Sequence, residues 1–140
     1  MSEDTEKFSI VLFSGTVDKI MAAVTMTAGA AAMGKKTTIF LTFWGLMGFR
    51  KGDWQKNMKF SKDFEEYAGP AMEMMQAKKV PHWMQTLQEV MEIGDVTVKA
   101  CGMTMDLFDI KLEDLEPVVS EVTGVASFIK ESEGGAILFV

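Results

Sequence analysis

The residue with the greatest reactive potential in this chain of 140 residues occurs once: Cys101, in the run Ala100-Cys101-Gly102-Met103-Thr104-Met105-Asp106. A lone cysteine cannot close an intramolecular disulfide, so its uses are reactivity, ligation, pairing with another chain, or packing. Reactivity requires thiolate character, which helix N–H groups and nearby cations supply. Lys99 stands two residues upstream on the same face of an extended segment, and a helix starting near Thr104 would aim its free N–H groups at the sulfur. Met103 and Met105 act in the opposite sense, and packing alone accounts for many free cysteines.

Other chemistry-bearing residues are sparse. His82, the single histidine, lies between Pro81 and Trp83 in the first turn of a predicted helix. It is a candidate acid–base partner for Cys101 or a helix-start residue, and the helix dipole there disfavours its charged form. Met72, Met74, Met75, Met84, Met103 and Met105, with Cys101 and His82, form a set of soft donors for copper(I). Their irregular spacing fits adaptable core or interface filler better, and no metal or other cofactor is expected. Ser14-Gly15-Thr16 either turns the chain or offers N–H groups to an anion. Glu113, Asp114 and Glu116 read as a solvated charged face.

The elements that must position these groups follow an alternating pattern. The nearly continuous apolar run Phe8-Ser9-Ile10-Val11-Leu12-Phe13 suits a strand buried on both faces of a parallel sheet. Thr16 is expected to cap a helix with Asp18 in its first turn and a stop at Gly34. Residues Thr37–Phe43 form the second predicted strand, joined by a right-handed crossover. From Trp44 to Lys62 the pattern breaks into a long glycine- and aromatic-rich excursion, and long loops in compact domains are often functional. Its Trp44–Trp54 part is placed over the cysteine pocket, at an oligomer interface, or on a membrane surface, as exposed apolar patches mark contacts. A short helix-prone stretch at Met72–Met75 precedes a clearer helix after Pro81 that ends at Gly94. Strands are then expected at Val96–Ala100, Val118–Val122 and Ala136–Val140, with helices at Asp106–Ile110 and, capped by Thr123, Val125–Lys130. This order predicts an α/β fold: a three-layer α/β/α sandwich on a mostly parallel five-stranded sheet.

Composition narrows the function classes. The length fits one domain over 1–140, with residues 1–6 flexible, and 48% hydrophobic residues are enough for a core. A net charge of −6 repels phosphate backbones, and no basic run interleaved with aromatics exists, so no nucleic acid is expected. The acidic, polar start is the reverse of a secretory signal, and with the unpaired cysteine it points to the cytoplasm. The apolar stretches Ile20–Met33 and Thr37–Phe49 fall short of the ~20 residues a membrane-spanning helix needs.

In such sheets ligands gather at the carboxyl ends of the strands. Cys101 lies at one such end, and so do Ser14, Gly15 and Thr16 after the first strand, Trp44 and Gly45 after the second, and Gly124 after the fourth. With Gly102, Met103 and Thr104, these are the candidate substrate-binding residues around a catalytic Cys101.

Four segments carry a family resemblance: Ser14-Gly15-Thr16-Val17-Asp18-Lys19, Gly29 to Gly34, Phe40-Leu41-Thr42-Phe43-Trp44-Gly45-Leu46 with Arg50-Lys51, and Ala100-Cys101-Gly102-Met103-Thr104-Met105-Asp106-Leu107. Together they resemble the DsrE-like sulfur-relay family, in its DsrE/DsrF/DrsH-like branch, loosely labelled peroxiredoxin-like. No peroxiredoxin active-site pattern accompanies that label. The resemblance implies the α/β sandwich, assembly into homo- or hetero-oligomers, and a sulfurtransferase-type role. The cysteine matching Cys101 would hold sulfane sulfur as a persulfide or thiosulfonate and exchange it with small sulfur-carrier proteins. Some relatives carry a second cysteine near that strand; this chain does not, so any disulfide mechanism would have to cross between chains. The competing expectation is a non-catalytic binding or scaffold subunit, membrane-associated in one version, with a structural cysteine.

Overall fold

The computed structural model describes residues 6–140. Most of the segment expected to be flexible, residues 1–5, lies outside them. Strands β1 (Lys7–Leu12), β2 (Lys36–Leu41), β3 (Val96–Cys101), β4 (Val119–Thr123) and β5 (Ala136–Phe139) form one sheet. Their order is β4-β3-β2-β1-β5, and every pairing is parallel. The α/β class and the parallel five-stranded sheet are as expected.

Strand order dictates where the helices go. Stepping β1 to β2 to β3 through right-handed crossovers puts the intervening helices on one face. There α1 (Val17–Ala32) and α4 (Trp83–Ile93) pack together, and Ile20, Val24, Leu87 and Val90 bury against Ile10, Leu12, Ile39, Leu41, Val98 and Ala100. The return from β4 to β5 reverses direction, so its helix α6 (Val125–Glu131) covers the other face, where Phe128 joins Phe40 and Cys101. The sandwich thus has a thick apolar layer on one side and a single short helix on the other. Three further helices sit at the periphery: α2 (Phe43–Met47), α3 (Ala68–Ala77), which buries no residue, and α5 (Gly102–Phe108). No helix among the described residues is long and apolar enough to cross a membrane.

Several local boundaries differ from expectation, among them β3, which runs through Cys101, β5, which ends at Phe139, and α3, which is longer than Met72–Met75. β2 ends at Leu41 rather than Phe43, because Phe43 turns to φ 48°, a left-handed backbone that no strand continues. The helix after Cys101 starts at Gly102, not Asp106. β4 runs one residue later than expected, with a bulge opposite Val98 and Lys99. Thr16 occupies the N-cap position of α1, but its side chain makes no capping bond. Gly124, not Thr123, is the N-cap of α6, since Thr123 remains in the ladder beside Cys101.

Candidate functional site

Alternation along β3 decides where Cys101 points. Val96, Val98 and Ala100 face the α1–α4 core, so Thr97, Lys99 and Cys101 face the α6 side. Cys101 is the last residue of β3 and the N-cap of α5. Its side chain is 0% exposed, enclosed with Phe40 and Phe128 and flanked by Val11. The Phe40 and Phe128 rings stack in parallel, 4.5 Å between centroids with a 9° interplanar angle.

Lys99 shares that face but is committed elsewhere. Its ammonium lies 2.5 Å from Glu131 on α6 and 3.0 Å from Glu121 on β4. Burial alone would push the Lys99 ammonium down; its hydrogen bonds to Glu131 and Glu121 outweigh this and hold it above its ordinary value. Lys99 therefore ties α6 to the sheet. Beside it, Lys7, Ser9, Lys36, Thr38 and Thr97 complete a polar pit of about 240 Å³ on the part of this face that α6 leaves open.

The turns after β1 and β2 interlock. Gly45 N–H donates to the Phe13 carbonyl at 2.9 Å, and Thr42 N–H to that of Leu12 at 3.1 Å. A methyl on Gly45 would overlap the Leu12 carbonyl oxygen, and one on Gly15 that of Trp44, so both positions need glycine for close backbone approach. α5 fixes the second turn: Thr104 Oγ1, fully buried, accepts from Phe43 N–H at 3.1 Å and pairs with the Thr42 hydroxyl at 3.2 Å. The Phe43 backbone strain is held by these bonds and by its ring contacts with Phe13 and Phe108.

The expected single pocket is divided. Ser14, Gly15, Thr16 and Trp44 line a cleft of about 770 Å³, but Cys101 and the residues of α5 and α6 do not. Its other walls come from the long excursion, through Met47, Gly48, Asp53, Lys56, Asn57, Lys59, Ser61 and Lys62, from Asp63 just after it, and from Lys19 on α1. Segment 57–61 is latched onto the start of α1. Asn57 Nδ2 donates to the Gly15 carbonyl at 2.8 Å, Val17 N–H to that of Lys59 at 2.7 Å, and Ser61 N–H and hydroxyl to Asp18 at 3.1 and 2.7 Å. Burial pushes the Asp18 carboxyl up, and the Thr16 and Ser61 hydroxyls together with backbone N–H groups outweigh it, leaving it below its ordinary value. The Thr16 oxygen itself is buried and faces that carboxylate without reaching hydrogen-bond geometry. Apart from Trp44, no motif marks the lining residues of the excursion individually. The only sequence signal for them was the length of the irregular segment.

The remaining candidates separate. Gly102 opens α5, where an added β-carbon would meet Val122 at ordinary contact distance, Met103 is exposed, and Gly124 leads into α6. His82 is the N-cap of α4: Nδ1 accepts from Met84 N–H at 3.0 Å, and the ring packs on Trp54 and Trp83. Burial lowers its pKa, and it takes no part in the Cys101 enclosure. Met84 and Met105 are core residues whereas Met74 and Met103 face solvent, so the methionines do not gather into one cluster. The Trp44–Trp54 stretch does not lie over Cys101. Phe49 is buried against Trp83, and Trp54 Nε1 donates to Glu116 at 2.8 Å, which takes Glu116 out of the solvated acidic run.

A model of the DsrE/DsrF/DrsH-like family matches residues 4–73 and 54–139. A Bacillus subtilis (strain 168) protein named "Uncharacterized protein YrkE" is 32% identical, with both chains covered in full. The "Sulfur carrier protein DsrE2" of Allochromatium vinosum is 26% identical over 91% of this chain and 92% of its own. Two solved structures share the fold at 14% identity: protein MTH1491 of Methanobacterium thermoautotrophicum (TM-score 0.60, covering 96% of this chain and 99% of that one) and ychN of E. coli (TM-score 0.58, 97% and 100%).

Proposed function

The chain belongs to the DsrE/DsrF/DrsH-like family, and on that premise we propose that it is a sulfur carrier of sulfurtransferase type that loads sulfane sulfur on Cys101. The observation that carries this reading is the placement of the chain's single cysteine at the carboxyl end of a central parallel strand, at the N-cap of the following helix. The relative named a sulfur carrier supports it.

The chemistry needs one thiolate and no redox partner. Cys101 sulfur attacks the terminal sulfur of a donor persulfide; a new S–S bond forms, the donor's S–S bond breaks, and the donor leaves as its thiolate. An acceptor thiolate then attacks the outer sulfur and restores Cys101. No second cysteine is needed, in keeping with the composition. The partners in this reading are further copies of the chain and small sulfur-carrier proteins, and the location is cytoplasmic.

Intact mass of the native protein after exposure to polysulfide, thiosulfate or tetrathionate tests it. A sulfur-containing adduct should appear, vanish with reductant, and be absent in Cys101→Ala. An unmodified mass with all three donors sinks the proposal. The complete burial of Cys101 favours a second reading, a binding or scaffold subunit with a structural cysteine. That reading requires the unmodified mass.

A further inference from the structure

A carrier thiol must meet donor and acceptor, yet Cys101 is enclosed on the α6 side of the sheet. We propose that α6 is a hinged cover and that Phe128 is the residue gating access to Cys101, an inference that rests on the sulfur-carrier reading above.

Three features single out α6 as the element that moves. It holds the sheet through few groups: Phe128 is its one buried hydrophobic residue, stacked on Phe40, and its carboxyl end is tied by Glu131, whose carboxylate pairs with Lys99 and whose carbonyl accepts from Lys7 at 2.9 Å. Its Val125 and Ile129 are exposed, so nothing among the described residues covers it, and the polar pit beside it leaves the neighbouring sheet unfilled. Lifting the helix thus breaks one aromatic stack, one ion pair and the hydrogen bond from Lys7 to the Glu131 carbonyl, whereas freeing Cys101 through β2 or β3 would break the central ladder.

The joint is equally specific. Thr123 pairs with Cys101 across the ladder, and Gly124 follows as the N-cap of α6. Gly124 has φ −86°, which any residue adopts, and a β-carbon there would meet nothing within 4 Å. Neither sterics nor backbone conformation demands glycine. Serine or asparagine would cap α6 better, whereas this N-cap makes no side-chain bond. Glycine leaves a loose joint next to the thiol, the property a cover needs.

The test is the alkylation rate of Cys101 by iodoacetamide in the native full-length protein, with the unfolded fraction of each variant measured by urea titration. Wild type should react far more slowly than the urea-unfolded chain. Phe128→Ala should react about tenfold faster or more, beyond what its unfolded fraction explains, and Phe128→Tyr should restore the slow rate. Gly124→Ser, which caps and stiffens the joint, should slow the reaction about 2- to 5-fold. A wild-type rate equal to that of the unfolded chain, or a Phe128→Ala rate accounted for by global unfolding alone, overturns the gate. The sulfur reading fails separately: Phe128→Ala would alkylate rapidly yet take up no sulfur from polysulfide.

Discussion

Replacing Thr104 by valine keeps the side chain's shape and removes one oxygen, so its effect isolates the bonds that hold the β2–α2 turn. Thr104 Oγ1 is fully buried, accepts from Phe43 N–H at 3.1 Å, and pairs with the Thr42 hydroxyl at 3.2 Å. Two hydrogen bonds are lost at about 1 kcal/mol each, and the partly buried amide of Phe43 is left without an acceptor. Relaxation of Phe43 from φ 48° returns part of the loss. The expected destabilisation is about 2 kcal/mol, read by urea unfolding. For a chain of this size that corresponds to a Tm lower by about 4–8 °C. In Thr42→Val/Thr104→Val the orphaned hydroxyl is gone, so the double variant should cost about 0.5–1 kcal/mol less than the sum of the single ones. A Thr104→Val variant within about 0.5 kcal/mol of wild type would refute this account of the turn.

Two glycines should respond to alanine with opposite signs. Gly45→Ala drives a methyl into the Leu12 carbonyl and should cost about 1–3 kcal/mol, while Gly29→Ala in the last turn of α1, where a β-carbon meets nothing, should gain about 0.5–1 kcal/mol; urea midpoints compare them. The pKa of His82 is lowered in the folded state from 6.5, so the unfolded chain binds the extra proton first. Its contribution is present above pH 6.5 and is lost as pH falls through the lowered folded value, and protonation of Nδ1 also removes the bond from Met84. His82→Asn, which keeps a capping acceptor without titrating, should flatten that part of the stability–pH profile; an unchanged profile argues against it. The Asp18 pKa is likewise lowered, below 3.8, so its contribution is present above 3.8 and fades as pH falls through the folded value. Asp18→Asn should weaken the latch on Ser61 and raise amide exchange across 57–61, with little change in the β1 amides.

The parts of the fold that could be read ahead were those where burial imposes a pattern. Phe8-Ser9-Ile10-Val11-Leu12 is apolar because a central parallel strand is covered on both faces, and Leu87 and Val90 recur at helical spacing because α4 buries one stripe. The boundaries failed where tertiary bonds override local preference. Phe43 has the propensity of a strand residue, but Thr104, sixty-one positions away, captures its N–H and fixes it in a left-handed turn. Gly102-Met103-Thr104 lacks any strong helix-start signal, yet α5 begins there with Thr104 tied to that same turn. The cleft was hidden for a related reason. Its outer wall is an irregular segment whose residues are specified by bonds to Gly15, Val17 and Asp18, and no periodicity records those.

Cys101 shows how little of a site's state one strand can reveal. Its place at the end of β3 follows from the run Val96-Thr97-Val98-Lys99-Ala100, and its face follows from alternation with Ala100. Its cover does not, because Phe128 arrives from a helix that the strand order β4-β3-β2-β1-β5 sends across the opposite side of the sheet. Lys99, which the same alternation places as a cationic neighbour, is drawn away by Glu121 and Glu131 and serves to fasten that helix. Thiol and cover are therefore set by one topological step, the reversal between β4 and β5. That reversal puts the chain's single thiol and the element that hides it on the thin side of the sandwich, where displacing seven residues costs the least packing.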